Sequence, residues 1–112
     1  RYYAGEREPV EAFDEPGITY SEELAAWFHE TEIPTFVTDT LASERTHPES
    51  GIRLPLHATF IRDQGILFTE ITLLDELAAD CAEDQKYDFM YVCSPLKVIE
   101  GTASPVNPLA IK

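Results

Sequence analysis

One histidine and one glutamate frame the stretch LHATFIRDQGILFTE, which spans residues 56–70. His57 stands near its start and Glu70 at its end, with apolar residues and one glycine between them. An imidazole and a carboxylate are a normal pair of ligands for zinc or manganese. The same pair also fits a histidine near the core and an ordinary glutamate at the edge of a strand. Two side chains do not make a metal site, so their spacing alone leaves both interpretations open.

The other histidines and the cysteines are weaker candidates. His29 falls at the end of the first predicted helix, where the helix dipole favours a positive charge, and we expect a structural or surface role. His47 lies in a polar loop and is expected to be solvated, with a contact to a substrate as the alternative. Cys81 and Cys93 form neither a disulfide framework nor a metal motif. Because Cys93 stands in an apolar run, we expect it to be a small core residue.

Several catalytic motifs do not occur in these 112 residues. The sequence has no glycine-rich phosphate loop, no G-x-S-x-G nucleophile elbow, no H-E-x-x-H pair and no C-x-x-C. A self-sufficient catalytic centre is therefore not visible. The sequence also begins at Arg1 rather than at a methionine, and we expect a fragment, a processed chain or one half of a split protein.

The charge of the chain is unusual, with 21 acidic residues against 8 basic ones and a net charge of −13. Binding to a nucleic-acid backbone or to an anionic membrane surface needs lysines and arginines, so both are disfavoured. The acidity fits plain solubility, adaptation to high salt, or mimicry of a nucleic acid. Mimicry is the weakest of the three because the acidic residues are spread without a long block. With no apolar run of 18 residues and no signal peptide, the cytoplasm is the expected location.

The first half of the sequence predicts a helix, a strand, a loop and a second short helix. The segment GITYSEELAAWFHE is typical of a helix that begins at a Thr19–Glu22 capping box or at Ser21. Its apolar face would bury Leu24, Trp27 and Phe28. A strand is predicted over Ile33–Thr40, followed by a polar loop. The segment HATFIRDQ is ambiguous and fits a short helix that Gly65 would end.

The second half predicts a strand, a helix and a long final strand. In GILFTEI, alternation would place Ile66, Phe68 and Glu70 on one face. A helix over TLLDELAAD would be capped by Thr72 and would bury Leu73, Leu74 and Leu77. The charged segment CAEDQK is predicted as a turn, and YDFMYVCSPLKVIEG as a strand that Pro95 interrupts. This alternation indicates one α/β domain with at least some parallel strands.

Three segments in order resemble the metal-dependent cyclase family of hydrolases, which includes bacterial kynurenine formamidases and isatin hydrolases. They are FVTDTLASE, LHATFIRDQGILFTEI and FMYVCSPLKVIEGTASPVNPLAI, and PGITYSEELAAWFHE adds a fourth similarity. The resemblance covers roughly residues 16–111. It implies part of a swivelling β/β/α-type domain, with a mixed sheet flanked by helices. Residues 1–112 would be the C-terminal part of that single domain.

The resemblance also implies a function, which is hydrolysis of a small-molecule amide, lactam or lactone with one or two divalent metals, zinc or manganese. The family's main metal motif, H-x-G-T-H-x-D-x-P-x-H, does not occur in this sequence and would lie upstream, together with the general base. In the family's two-metal members, a later histidine and a glutamate complete the metal site, and His57 and Glu70 match those positions. Asp39 and Thr40 are weaker candidates to approach it, and Asp39 could instead cap a turn.

The expected partners follow from the same resemblance. They are a small-molecule substrate and either further copies of the chain or a second chain that carries the upstream half. Two departures leave the substrate open: Ile71-Thr72 follows the glutamate where many relatives have an apolar residue and asparagine, and Asn107 follows Pro-Val where relatives often have arginine. The alternative function is a non-catalytic binding or structural module that kept the cyclase scaffold and lost the main metal motif.

Overall fold

A computed structural model describes residues 16–45, 51 and 53–112 of the chain. His47 lies outside these residues, so its prediction is untested. The chain divides after Ile71 into two units. The first unit holds α1, β1, a π-helix and β2, and the second holds α2, β3 and β4. Among the described residues, no helix is long and apolar enough to cross a membrane.

Helix α1 runs over Glu22–Glu30 and begins at the second of its two predicted caps. Ser21 is in an extended conformation, and its Oγ accepts a hydrogen bond from the Leu24 amide at 3.1 Å. This contact satisfies one of the amides that the first turn of a helix leaves without a partner. His29 stands exposed in the last turn, which confirms its predicted surface position.

The first unit contains a short parallel sheet, as the α/β alternation predicts. Strand β1 (Thr35–Val37) pairs with β2 (Leu67–Thr69), and Phe36 lies opposite Phe68. Both strands are shorter than predicted, but two further hydrogen bonds extend the contact: the Thr38 amide donates to the Thr69 carbonyl, and the Ile71 amide to the Thr40 carbonyl, both at 3.0 Å. These bonds hold Glu70 beside the segment that follows β1.

The helix predicted over HATFIRDQ is a π-helix, His57–Gln64, and two helical residues, Pro55 and Leu56, precede it. It ends at Gly65, whose φ of 73° is left-handed and whose amide donates to the Phe60 carbonyl. Gly65 therefore ends the helix as predicted, because glycine adopts this conformation without a Cβ penalty. The i→i+5 spacing was not predicted, and π-helical turns are frequent at functional sites.

An aromatic cluster forms the core of the first unit. The Phe28 and Phe60 rings lie 4.5 Å apart, and Phe60 contacts Phe68 edge to face. Among the residues that the structure describes, the buried core residues are Ala25, Phe28, Leu56, Phe60 and Ile66. The prediction that Trp27 is buried is wrong, since 53% of it is exposed. Trp27 precedes Phe28 and so points about 100° away around the helix, against the edge of the Phe28 ring.

The second unit begins with α2, which differs from its prediction at both ends. The helix spans Asp75–Asp84 and is preceded by Leu74, without a capping side chain, so the predicted Thr72 cap is wrong. It continues through most of the segment predicted as a turn and ends at Gln85, whose φ of 57° is left-handed. Its buried residue is Cys81, whereas Leu73, predicted to be buried, lies exposed before the helix.

Strands β3 (Met90–Val92) and β4 (Leu109–Ile111) form an antiparallel pair in which Tyr91 lies opposite Ala110. The long strand predicted from YDFMYVCSPLKVIEG is thus reduced to three residues, and its partner is β4, at the end of the described chain. Cys93 is half-buried rather than part of a core, and both cysteines are free. With one parallel and one antiparallel pair, the described chain is a mixed α/β structure.

Candidate functional site

The two predicted metal ligands lie side by side in the first unit. His57 opens the π-helix and Glu70 directly follows β2, so the parallel pairing of β1 and β2 fixes the position of the glutamate. The His57 Nε2 atom lies 3.6 Å from Glu70 Oε2. This distance is longer than a direct hydrogen bond between these atoms. The two atoms are therefore close to each other without a direct hydrogen bond.

A second carboxylate, which the sequence analysis did not select, holds the other side of the imidazole. Glu44 Oε1 lies 2.6 Å from His57 Nδ1. Glu44 also accepts hydrogen bonds from two backbone amides, that of Leu56 at 2.7 Å and that of His57 at 3.0 Å. Only 1% of its side chain is exposed. Burying a carboxylate is costly without such partners, and the amides at the start of a helix are well placed to supply them.

Glycine at position 17 brings Glu44 into this place. Ile18 forms a parallel bridge with Glu44: the Ile18 amide donates to the Ser43 carbonyl at 3.1 Å, and the Arg45 amide to the Ile18 carbonyl at 3.2 Å. A Cβ on Gly17 would lie 2.5 Å from the backbone nitrogen of Arg45 and 2.6 Å from the carbonyl oxygen of Glu44, which is too close for any atom. The close approach of these two backbone segments therefore requires glycine.

Ser43 fixes the Glu70 carboxylate through hydrogen bonds to one of its two oxygens. The Ser43 amide donates to Glu70 Oε1 at 2.6 Å, and the Ser43 hydroxyl lies 2.9 Å from the same oxygen. Ser43 is itself buried, and its hydroxyl lies 3.1 Å from that of Thr38. Because Ser43 engages Oε1, the carboxylate presents Oε2 to His57.

The segment after β1 forms the wall of the site. The Thr40 hydroxyl donates to the Ala42 carbonyl at 2.8 Å and so shapes the turn that presents Ser43. Asp39 is exposed. Of the two weaker candidates, Thr40 thus supports the site through the backbone. Ile71, next to Glu70, has a left-handed φ of 56°, which is strained for a β-branched residue.

The geometry around His57 defines what its two nitrogens can do. A carboxylate has only acceptors to offer, so Nδ1 faces Glu44 as a donor. In the neutral imidazole, Nε2 then carries the lone pair, on the side of the ring that faces Glu70. The ring is fixed further by edge-to-face contact with Phe68, at 4.9 Å between centroids. A histidine held by a carboxylate at one nitrogen and open at the other is the usual arrangement of a metal-bound imidazole.

The donor set fits a divalent metal. A zinc ion with ligand distances near 2.1 Å and tetrahedral angles separates two ligand atoms by about 3.4 Å. The 3.6 Å between Nε2 and Oε2 agrees with that spacing. Within residues 16–45, 51 and 53–112, no group of three or more His, Cys, Asp or Glu side chains is arranged to hold a metal by itself. His57 and Glu70 would thus supply two ligands of a set that needs further members.

Glu44 could not be identified from the sequence. It follows Ser43 in FVTDTLASE, where a glutamate in a polar loop ordinarily lies in solvent. The available signal was its presence in a segment that carries the family resemblance. Its burial depends on the Gly17 approach and on the start of a distant helix, and neither is visible in local sequence.

Comparison with known proteins finds similar chains among the solved structures. No family model matches the chain, and no curated protein matches it. Among solved structures, the chain is similar to a crystal structure described as that of a novel cyclase, with a TM-score of 0.72 and 36% sequence identity. The match covers 84% of this chain and 30% of that one, so this chain spans less than a third of its length.

The structural neighbour is a cyclase, and this chain shares its fold over the matched part. The cyclase resemblance seen in the sequence is supported to that extent. The swivelling form of the domain, its C-terminal placement and the formamidase-like specificity remain predictions.

Proposed function

We propose that this chain is part of a metal-dependent hydrolase of the cyclase family, which cleaves an amide, lactam or lactone bond of a small molecule. One observation carries the proposal: His57 Nε2 and Glu70 Oε2 face each other at 3.6 Å while Glu44 and Ser43 hold both side chains from behind. The similarity to a cyclase supports the reaction class.

Each residue has a distinct role in this proposal. His57 Nε2 and Glu70 Oε2 are ligands, Glu44 and Ser43 orient them, and Phe68 closes one side of the imidazole. His57 and Glu70 would help to hold a divalent ion, zinc or manganese, which would supply Lewis acidity toward the scissile carbonyl and the attacking water. The remaining ligands and the general base come from an upstream segment, and the proposed partner is either a further copy of the chain or a second chain that carries that segment.

The test compares two histidines in the full-length protein. His57→Ala removes a proposed ligand, whereas His29→Ala removes an exposed histidine from the end of α1. We expect His57→Ala to lose at least about 100-fold in zinc or manganese affinity, more than the loss for an orienting residue. It should also lose turnover of a formamide, a lactam or a lactone, and His29→Ala should match the wild type in both measurements.

Glu70→Gln provides a second arm, with exposed Glu23→Gln as its control. It should weaken metal binding because an amide oxygen is a poorer ligand than a carboxylate. Metal content and turnover that survive both His57→Ala and Glu70→Gln would contradict the proposal. Metal binding that depends on these residues, without turnover of any of the three substrate classes, would favour the non-catalytic module.

A further inference from the structure

We propose that Glu44 is a positioning residue that fixes the tautomer of His57, with the proton on Nδ1 and the lone pair of Nε2 turned toward Glu70. The inference deepens the proposed function and, in its metal-binding consequence, rests on it. The tautomer itself is a property of the metal-free protein.

Glu44 makes a very short contact with the His57 ring. Its Oε1 lies 2.6 Å from His57 Nδ1, which is shorter than its 3.0 Å contact with the His57 amide. So short a distance is typical of a hydrogen bond in which one partner is charged. The side chain is almost fully buried, so water does not compete for its oxygens.

The opposite tautomer would be unfavourable at Nδ1, where the contact is much shorter than the 3.6 Å between Nε2 and Glu70 Oε2. With the proton on Nε2, the lone pair of Nδ1 would face the Glu44 oxygen at 2.6 Å, and two acceptors would be in contact. The backbone amides of Leu56 and His57 prevent Glu44 from turning away, since they hold both of its oxygens. The structure therefore favours one neutral form of His57.

A purely structural role is the competing explanation for Glu44. In that role the carboxylate would serve only to cap the amides of Leu56 and His57 at the start of the helix. Its removal would then lower the unfolding free energy without changing which nitrogen of His57 is protonated. The two explanations differ in a quantity that spectroscopy measures directly.

The experiment is nitrogen-15 NMR of the histidine side chains in the metal-free, full-length protein. Wild type should show His57 with a protonated Nδ1 and an unprotonated Nε2 at a pH where the ring is neutral. In Glu44→Gln the side-chain amide can present either its oxygen or its nitrogen to Nδ1, so both tautomers should appear. Glu23→Gln is the matched control for the substitution, and it should leave the wild-type signals unchanged.

Zinc affinity is the second measurement. Glu44→Gln should bind zinc about 10–100-fold more weakly than wild type, the usual effect of losing a residue that orients a ligand. Ser43→Ala should also weaken binding, because it loosens Glu70, but it should leave the His57 tautomer unchanged. This pair of variants separates the two sides of the site.

Each outcome has a definite meaning. A wild-type protein with the proton on Nε2 overturns the proposal, and this measurement does not depend on any variant folding. An unchanged tautomer in folded Glu44→Gln also overturns it. A third outcome is that Glu44→Gln changes the tautomer as expected but His57→Ala binds zinc as tightly as the wild type. The role of Glu44 would then stand, and the proposed metal function would fail.

Discussion

The two units of the chain use their apolar residues in different ways. In its described part, the first unit, which ends at Ile71, buries a cluster of aromatic side chains together with the polar residues Ser43, Glu44 and Thr69. In residues 72–112, Cys81 is the one buried side chain, and many large apolar residues are exposed, with Ile99 at 90%. The first unit thus has the closed core that a polar site requires, and the second does not.

This difference explains where chemistry can be placed. A buried carboxylate such as Glu44 needs fixed donors and a rigid surrounding, because an unpartnered buried charge is expensive. The aromatic core and the short parallel sheet provide that surrounding in the first unit. The ion pairs of the second unit, between Lys112 and two aspartates, lie at the surface, where water screens them.

The largest expected effect contrasts the cores directly. Phe60→Ala removes a fully buried ring and should lower the unfolding free energy by about 3–5 kcal/mol. Ile99→Ala removes a side chain that is already in solvent and should change it by less than about 0.5 kcal/mol. Urea denaturation of the two variants measures both values. Equal losses would mean that the apolar surface of the second unit is covered in solution.

Gly17 tests whether close backbone packing builds the site. Gly17→Ala should cost about 1–3 kcal/mol, because a methyl group overlaps the backbone of Glu44 and Arg45. It should also weaken metal binding, since Glu44 would shift away from His57. Thermal unfolding and zinc titration measure the two effects. If Gly17→Ala were less stable but bound zinc as tightly as the wild type, the close packing at Gly17 would not be needed to position the site.

Gly65 is the matched control, because there the backbone angle and not the available space demands glycine. Its φ is 73°, and nothing lies within 4 Å of an added Cβ. Gly65→Ala should therefore cost about 1 kcal/mol, and Gly65→Asn should recover most of that loss, since asparagine tolerates the left-handed region. At position 17, asparagine should be no better than alanine.

A smaller effect, in the opposite direction, is expected at Ile71. Ile71→Asn should raise the unfolding free energy by about 0.5–1 kcal/mol, because asparagine adopts a left-handed φ more easily than isoleucine does. Ile61→Asn is the control, since Ile61 is equally exposed, 41% against 40%, and is not among the residues with positive φ. A gain at both positions, or at neither, would show that the φ of Ile71 is not the cause.

The smallest effect concerns the second unit and pH. The hydrogen bond from Lys112 to Asp84 lowers the pKa of that aspartate. A lowered pKa contributes stability above the ordinary pKa of aspartate, near 3.8, and this stability is lost as the pH falls through the folded value. Asp84→Asn should therefore reduce Tm slightly at neutral pH and not in acid.

Exposed Asp88→Asn is the control for this comparison. It should leave the Tm unchanged at both pH values. A pH-independent effect of Asp84→Asn would indicate loss of a helix contact rather than of an ion pair.

Local sequence predicted those features that local physics decides. Ser21 caps α1 and Gly65 ends the π-helix because each satisfies a short-range requirement of the backbone. The family resemblance singled out His57 and Glu70, and the structure places His57 Nε2 3.6 Å from Glu70 Oε2. Their binding of a metal remains a prediction.

Other features depend on contacts between distant segments. Trp27 is exposed because the aromatic cluster packs on another side of α1. The spacing of apolar residues along the helix does not specify which side that is. Helix α2 continues to Asp84, although the charged segment CAEDQK is typical of a turn. Glu44 was missed because its burial requires Gly17 and the start of the π-helix together.

The most direct test of the central claim is anomalous X-ray diffraction from crystals of the full-length protein grown with zinc or manganese. The account predicts an anomalous peak about 2.0–2.2 Å from both His57 Nε2 and Glu70 Oε2, with Glu44 on Nδ1 and away from the ion. The account would be contradicted if the metal bound elsewhere and His57 Nε2 and Glu70 Oε2 were joined only by a direct hydrogen bond or by a bridging water.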